Sequence, residues 1–158
     1  MDRRYSPNRA KFRHQLAAGR MALLAVTAFT LINLILLLCR VEYHFLLSAA
    51  VPYYVNWLCV KLNAPGIWSV LAALLAIGLT AFFAACWVRS YRRRVFLMAA
   101  MAAYGLDTLL LAIFAFTLLD NPASCILEIV THLGVLYLLA AADQASAAMQ
   151  RMRQRARM

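Results

Sequence analysis

Charge is what this chain has least of, and nearly all of it is of one sign. Only 14% of the residues are charged, against about 25% in an ordinary soluble domain, and sixteen lysines and arginines stand against six acids. With 65% hydrophobic residues there is too little polar surface to cover a globule of 158 residues in water, which excludes a soluble enzyme or binding module. Cysteine is sparse as well. The four present, Cys39, Cys59, Cys86 and Cys125, contain no CxxC, so the usual zinc and dithiol signatures are missing. Small apolar filling is their expected use, with Cys39 and Cys59 the pair that would meet near the outer surface of a membrane if that side were oxidising.

The net charge of +10 invites a nucleic-acid reading, since basic chains bind phosphate backbones. Position argues against it. The cations sit in short clusters at the ends of apolar runs, which is how topology is fixed in a bilayer. The composition and pattern predict an all-α, polytopic membrane protein with spans at about 18–39, 67–88, 95–119 and 123–142. A basic arm (1–17) and a basic tail (144–158) flank one transmembrane domain (18–143), and Pro7 and Asn8 are expected to break any early helix. The first apolar run exceeds the 7–15 residues of a signal-peptide core, so it reads as a retained span.

Residues 41–62 are apolar enough to suggest a fifth crossing, but a crossing there would break the alternation of charge. Fourteen of the sixteen cations precede the first span, lie between the second and third, or follow the fourth; Arg40 and Lys61 alone fall on the other side. Both termini are therefore expected in the cytoplasm. Pro52 interrupts the 41–62 stretch, and Tyr43, Phe45, Tyr53, Tyr54 and Trp57 favour a membrane interface. The segment reads as a broken interfacial or re-entrant piece between the first and second spans. Turns are expected at 63–66 (Asn-Ala-Pro-Gly) and 120–122 (Asp-Asn-Pro). In the second span Trp68 and Trp87 read as end anchors, and Ala72, Ala73, Ala76, Gly78, Ala81, Ala84 and Ala85 as a face packed on protein.

The residues that do not belong in hydrocarbon are Asp107, Glu128 and His132, with Asn33 in the first span. Asp107 lies 13 residues before Asp120 and His132 lies 12 after it, so an antiparallel hairpin puts them at one depth. Glu128 shares a helical face with His132 at a spacing of four, and Asn33 falls near the Glu128 level. Ionisable groups in mid-membrane cost about 2.5–3.5 kcal/mol each on insertion scales, so three converging there mark a candidate ion- or ligand-binding site. A proton or cation relay and a pocket for a small ligand both fit. A metal site is weaker, because Asp107, Glu128 and His132 supply three ligands without a second histidine. The bland alternative is an Asp107–His132 hydrogen bond that locks the hairpin, with Glu128 satisfied by Asn33 or water, in a non-catalytic accessory or assembly subunit. A serine nucleophile can be posed with Ser48, His132 and Asp107, but no Gly-x-Ser-x-Gly elbow surrounds Ser48 and the serine is expected well above His132. No reaction or cofactor is indicated. The expected partners are the lipid bilayer and a second copy or another membrane protein.

The runs LINLILL (31–37) and YHFLLSAAVPY (43–53) resemble small four-span membrane proteins of Gram-positive bacteria whose activity is uncharacterised. The resemblance covers the first third of the chain and implies a bacterial plasma membrane, with no assigned mechanism. Small multidrug transporters also have four short spans and a membrane acid, but theirs lies in the first helix, where this chain has Asn33.

Overall fold

A computed structural model of the chain describes residues 7–39, 41, 45–61, 66–118 and 125–155. The described residues form five helices and no strand: α1 (Pro7–Leu38), α2 (Val51–Lys61), α3 (Ile67–Arg89), α4 (Arg94–Leu118) and α5 (Ile126–Arg155). All but α2 are long and apolar enough to cross a membrane. At about 1.5 Å per residue α3 and α4 reach about 35–38 Å, enough for a hydrocarbon core of about 30 Å, whereas α1 and α5 reach about 45–48 Å and outrun it.

Two of these lengths differ from the sequence reading. Helix α1 starts at Pro7, so much of the basic arm is helical. Proline is tolerated in a first turn, where its missing N–H would have no partner anyway. Helix α5 likewise continues through the expected tail to Arg155, where alanine, glutamine and arginine favour helix. The expected turn at 120–122 lies outside the described residues, as do Asn63, Ala64 and Pro65. Gly66 is described and has φ 100°, a left-handed conformation that side chains with a Cβ rarely adopt.

The long helices form a ring in which α1 adjoins α3 and α5, and α4 adjoins the same two. The α1 start, the α3–α4 turn and the α5 end share what is here called the basic end. Two apolar clusters fill the ring. Toward the basic end, Leu23, Val26, Phe83, Leu97, Tyr104 and Leu139 from all four spans close around one another. Toward the far end, Ala50 and Tyr54 pack with Leu111, Ala115 and Cys125. The outer surface carries large exposed apolar side chains, Leu74, Leu109, Phe116 and Leu133 among them, as lipid-facing helices should.

Between α1 and α2 the chain turns inward. Phe45 stacks on Phe29, about two and a half turns before the α1 end, and residues 45–50 run non-helically to the middle of α4. Helix α2 then returns along α3 and α4 toward the far end, where the Lys61 amine covers the Trp57 ring at 4.8 Å. Pro52 therefore begins a helix and does not break one, because it occupies the first turn of α2.

The small residues of α3 are not one buried face. Ala72 and Ala76 are buried, but Gly78 and Ala81 are exposed, because seven small residues spread over four turns circle the helix. Trp87 packs partly buried against the basic-end cluster, while the side chain of Trp68 lies outside the described residues.

Candidate functional site

Non-helical backbone inside an apolar bundle is tolerated only where its N–H and C=O groups are satisfied by protein. Polar side chains of α1 and α4 do this at Phe45, Leu47, Ala49, Ala50 and Val51. Thr30 and Asn33, one turn apart on α1, hold the incoming segment. The Asn33 Oδ1 accepts from the Phe45 amide at 2.8 Å, and its Nδ2 donates to the Phe45 carbonyl and to the Ser48 hydroxyl. The Thr30 hydroxyl accepts from the Ala49 amide at 3.0 Å while donating to the Val26 carbonyl one turn back. The Tyr104 hydroxyl approaches the Leu47 carbonyl at 3.4 Å.

Asp107 of α4 completes the arrangement at the start of α2. The Ala50 amide donates to its Oδ2 at 2.9 Å and the Val51 amide to its Oδ1 at 3.0 Å. Pro52 has no N–H to satisfy, and the Tyr53 amide reaches the Ala50 carbonyl. The opening donors of α2 are thus accounted for by one carboxylate and one proline. A negative charge at that position also meets the positive end of the α2 dipole. A capping side chain normally comes from the residue before the helix; here it comes from another helix, more than fifty residues away.

On α5, one turn apart, sit Glu128 and His132. The Tyr54 hydroxyl of α2 donates to Glu128 Oε2 at 2.8 Å and lies 3.3 Å from the Cys125 sulfur. Both Glu128 and His132 are buried, the histidine completely. The imidazole stacks on Tyr104 with centroids 4.7 Å apart, and its Nδ1 is 3.2 Å from the Thr108 hydroxyl. That hydroxyl also reaches the Tyr104 carbonyl at 2.8 Å, so an Nδ1–H ring donates to it while it bonds Tyr104, and in the other tautomer Nδ1 accepts and Nε2 carries the proton. In the Nδ1–H tautomer Nε2 is a bare acceptor, and the atom is buried with no hydrogen-bond partner. The backbone carbonyls of Leu46 and Ser48 face the ring as acceptors.

These positions correct several details of the sequence reading. Asp107 and His132 do share a level, with Nδ1 and Oδ2 3.8 Å apart, but that is beyond hydrogen-bond reach and each has other partners. Glu128 is bound by Tyr54, not by Asn33, which lies across the re-entrant segment. Tyr54 points into the bundle and not to an interface. Ser48 is at this depth and not above it, because the chain dips; its hydroxyl bonds Asn33 and the Phe45 carbonyl, so it is not set up as a nucleophile. No group of three metal-ligating side chains occurs among the described residues. Cys39 is free and exposed and Cys86 free and buried, Cys125 is buried with its sulfur beside the Tyr54 hydroxyl, and the side chain of Cys59 lies outside the described residues.

Two features escaped the sequence reading. Gly19 is so close to α5 that a Cβ there would overlap the Ala142 side chain and the Leu138 carbonyl, and its only trace in sequence is a glycine among alanines. Asp143 forms a bidentate pair with Arg94. Placed just past the fourth span, at the edge of the transmembrane domain, it had no visible partner until α4 and α5 were set side by side. No family model matches the chain, nor does any curated protein or solved structure.

Proposed function

We propose that the protein is a small ion-coupled transport protein of a bacterial plasma membrane, with both termini cytoplasmic, in which His132 and Asp107 take up a proton beneath a movable re-entrant segment. The observation that carries this reading is the buried, unpartnered Nε2 of His132 beside a carboxylate. A neutral ring carries one proton, so it cannot donate both to Thr108 from Nδ1 and toward the carbonyls from Nε2. A proton there creates the missing donor and brings a positive charge next to Asp107. A proton on Asp107 instead removes its charge and converts one acceptor of the Ala50 and Val51 amides into a donor, which loosens the α2 start. Either event changes what holds residues 45–54, so proton binding and movement of that segment are linked. The grouping of fourteen of the sixteen cations in the segments before the first span, between the second and third, and after the fourth supports the cytoplasmic placement of the termini.

The test is proton flux into vesicles holding the purified protein and a pH-sensitive dye. Wild type is expected to conduct under an imposed potential, and His132→Asn and Asp107→Asn to be silent while unfolding as cooperatively as wild type. Flux unchanged in both variants would refute the reading.

A second reading has its own support. Asn33, Asp107 and Glu128 all have partners within the fold, as in an accessory subunit whose polar residues lock packing, and exposed Gly78 and Ala81 would admit a neighbouring helix. On that reading lost stability or complex yield is the whole effect of Asp107→Asn, and neither wild type nor any variant carries flux.

A further inference from the structure

Most of the unpaired charge among the described residues is at the basic end. Three of the chain's six acids lie among the described residues, and all are committed: Asp107 and Glu128 in the interior, Asp143 to Arg94. Arg20, Arg89, Arg92 and Arg93 therefore have no ion-pair partner among the described residues, although the α3–α4 turn brings them together. The turn is tightly wound, with the Arg92 and Arg93 amides both donating to the Arg89 carbonyl and the Ser90 amide to the Cys86 carbonyl. This fixes Tyr91 outward, where it is 78% exposed. The Arg20 guanidinium lies over that ring at 4.9 Å, and Arg89 lies over Phe96 at 5.5 Å. The buried Nε of Arg20 has no hydrogen-bond partner. Exposed Met21, Val88 and Val95 flank the cations on the lipid side.

A cation cluster of this kind, oriented by aromatic faces and bordered by apolar side chains, matches a molecule with an anionic head and hydrocarbon tails. We propose that the α1/α3–α4 corner formed by Arg20, Tyr91, Arg92 and Arg93 binds an anionic phospholipid through its phosphodiester. The Tyr91 ring holds the Arg20 guanidinium at the headgroup level. Arg92 and Arg93 supply the remaining donors, and the acyl chains lie along Met21, Val88 and Val95. This surface is separate from the Asp107–His132 site and does not depend on its role.

The purified full chain in neutral detergent, titrated with phosphatidylglycerol or phosphatidylcholine and read by native mass spectrometry, tests the assignment. Retention of phosphatidylglycerol is expected to exceed that of phosphatidylcholine at least tenfold. Each cation removed should weaken it about fivefold, so the Arg92→Gln/Arg93→Gln double variant should lose most of the preference. Tyr91→Ala, which keeps every charge, should lose part of it. Arg9→Gln/Arg13→Gln, with the same change in charge near the start of α1, should retain it. The proposal is overturned by equal retention of the two lipids, by an equal loss in the Arg9/Arg13 variant, or by inorganic phosphate displacing the lipid at equal concentration. Melting of each variant in the same detergent separates lost binding from lost fold, and preserved preference in a well-folded Arg92/Arg93 variant would also overturn it.

Discussion

The two halves of the bundle use polar residues in opposite ways. In the far half, Asn33, Thr30, Asp107 and Glu128 point inward and hold the non-helical residues 45–50 and the first turn of α2. In the basic half the interior is apolar and close-packed, α1 and α5 touch through Gly19, and the charged residues sit where water and headgroups begin. One half is held by hydrogen bonds to a guest element, the other by contact between helices. The difference teaches that a buried acid in such a chain is not evidence of chemistry until the backbone groups within its reach have been accounted for.

The contrast can be broken most forcefully at Asp107. Asp107→Ala orphans two interior amides, and with about 1–3 kcal/mol for each unsatisfied group the loss should be on the order of 3 kcal/mol. Thermal unfolding in detergent measures it. Asp107→Asn keeps one acceptor and should lose about half as much. A cost no larger than that of truncating the lipid-facing Leu110 would show that Asp107 does not hold the α2 start. Second in size is Gly19→Val, which forces α1 and α5 apart; overpacking of this kind costs about 1–3 kcal/mol. Gly78→Ala and Gly134→Ala, where a Cβ meets nothing within 4 Å, should not lower the melting temperature and should raise it slightly, since alanine favours helix over glycine. Thr30→Val is smaller again. It strands the Ala49 amide without changing side-chain volume much, for about 1 kcal/mol, and faster hydrogen exchange confined to residues 45–50 is the specific readout. The least effect is expected from Arg94→Met. Its pair with Asp143 is partly exposed, so the change in melting temperature should be small and should vanish in high salt, where such pairs are screened.

Much of this was legible in the sequence. Four apolar runs of spanning length give the long helices, and charge clustering groups the basic segments at one end. Counting from Asp120 puts Asp107 and His132 level, because rise per residue is fixed in a helix. The partners of these residues were not legible. Whether the 41–62 stretch lies along a surface or dips inward depends on what awaits it in the interior, and local composition is the same in both cases. The aromatic residues illustrate this: Trp57 and Lys61 do pair near the far end, while Tyr54, three residues from Trp57, turns inward to Glu128. The Gly19 contact and the Arg94–Asp143 pair join positions distant in sequence, and no periodicity announces them.

Helix α5 carries Glu128 in its first turn and Arg155 in its last, with no break between. Over about 27 residues that is about 40 Å of continuous rod. A rod turns as one piece, so any rotation that moves the carboxylate against Tyr54 swings the arginines at the opposite tip by the same angle. Whatever grips that tip from the water has a mechanical hold on the interior.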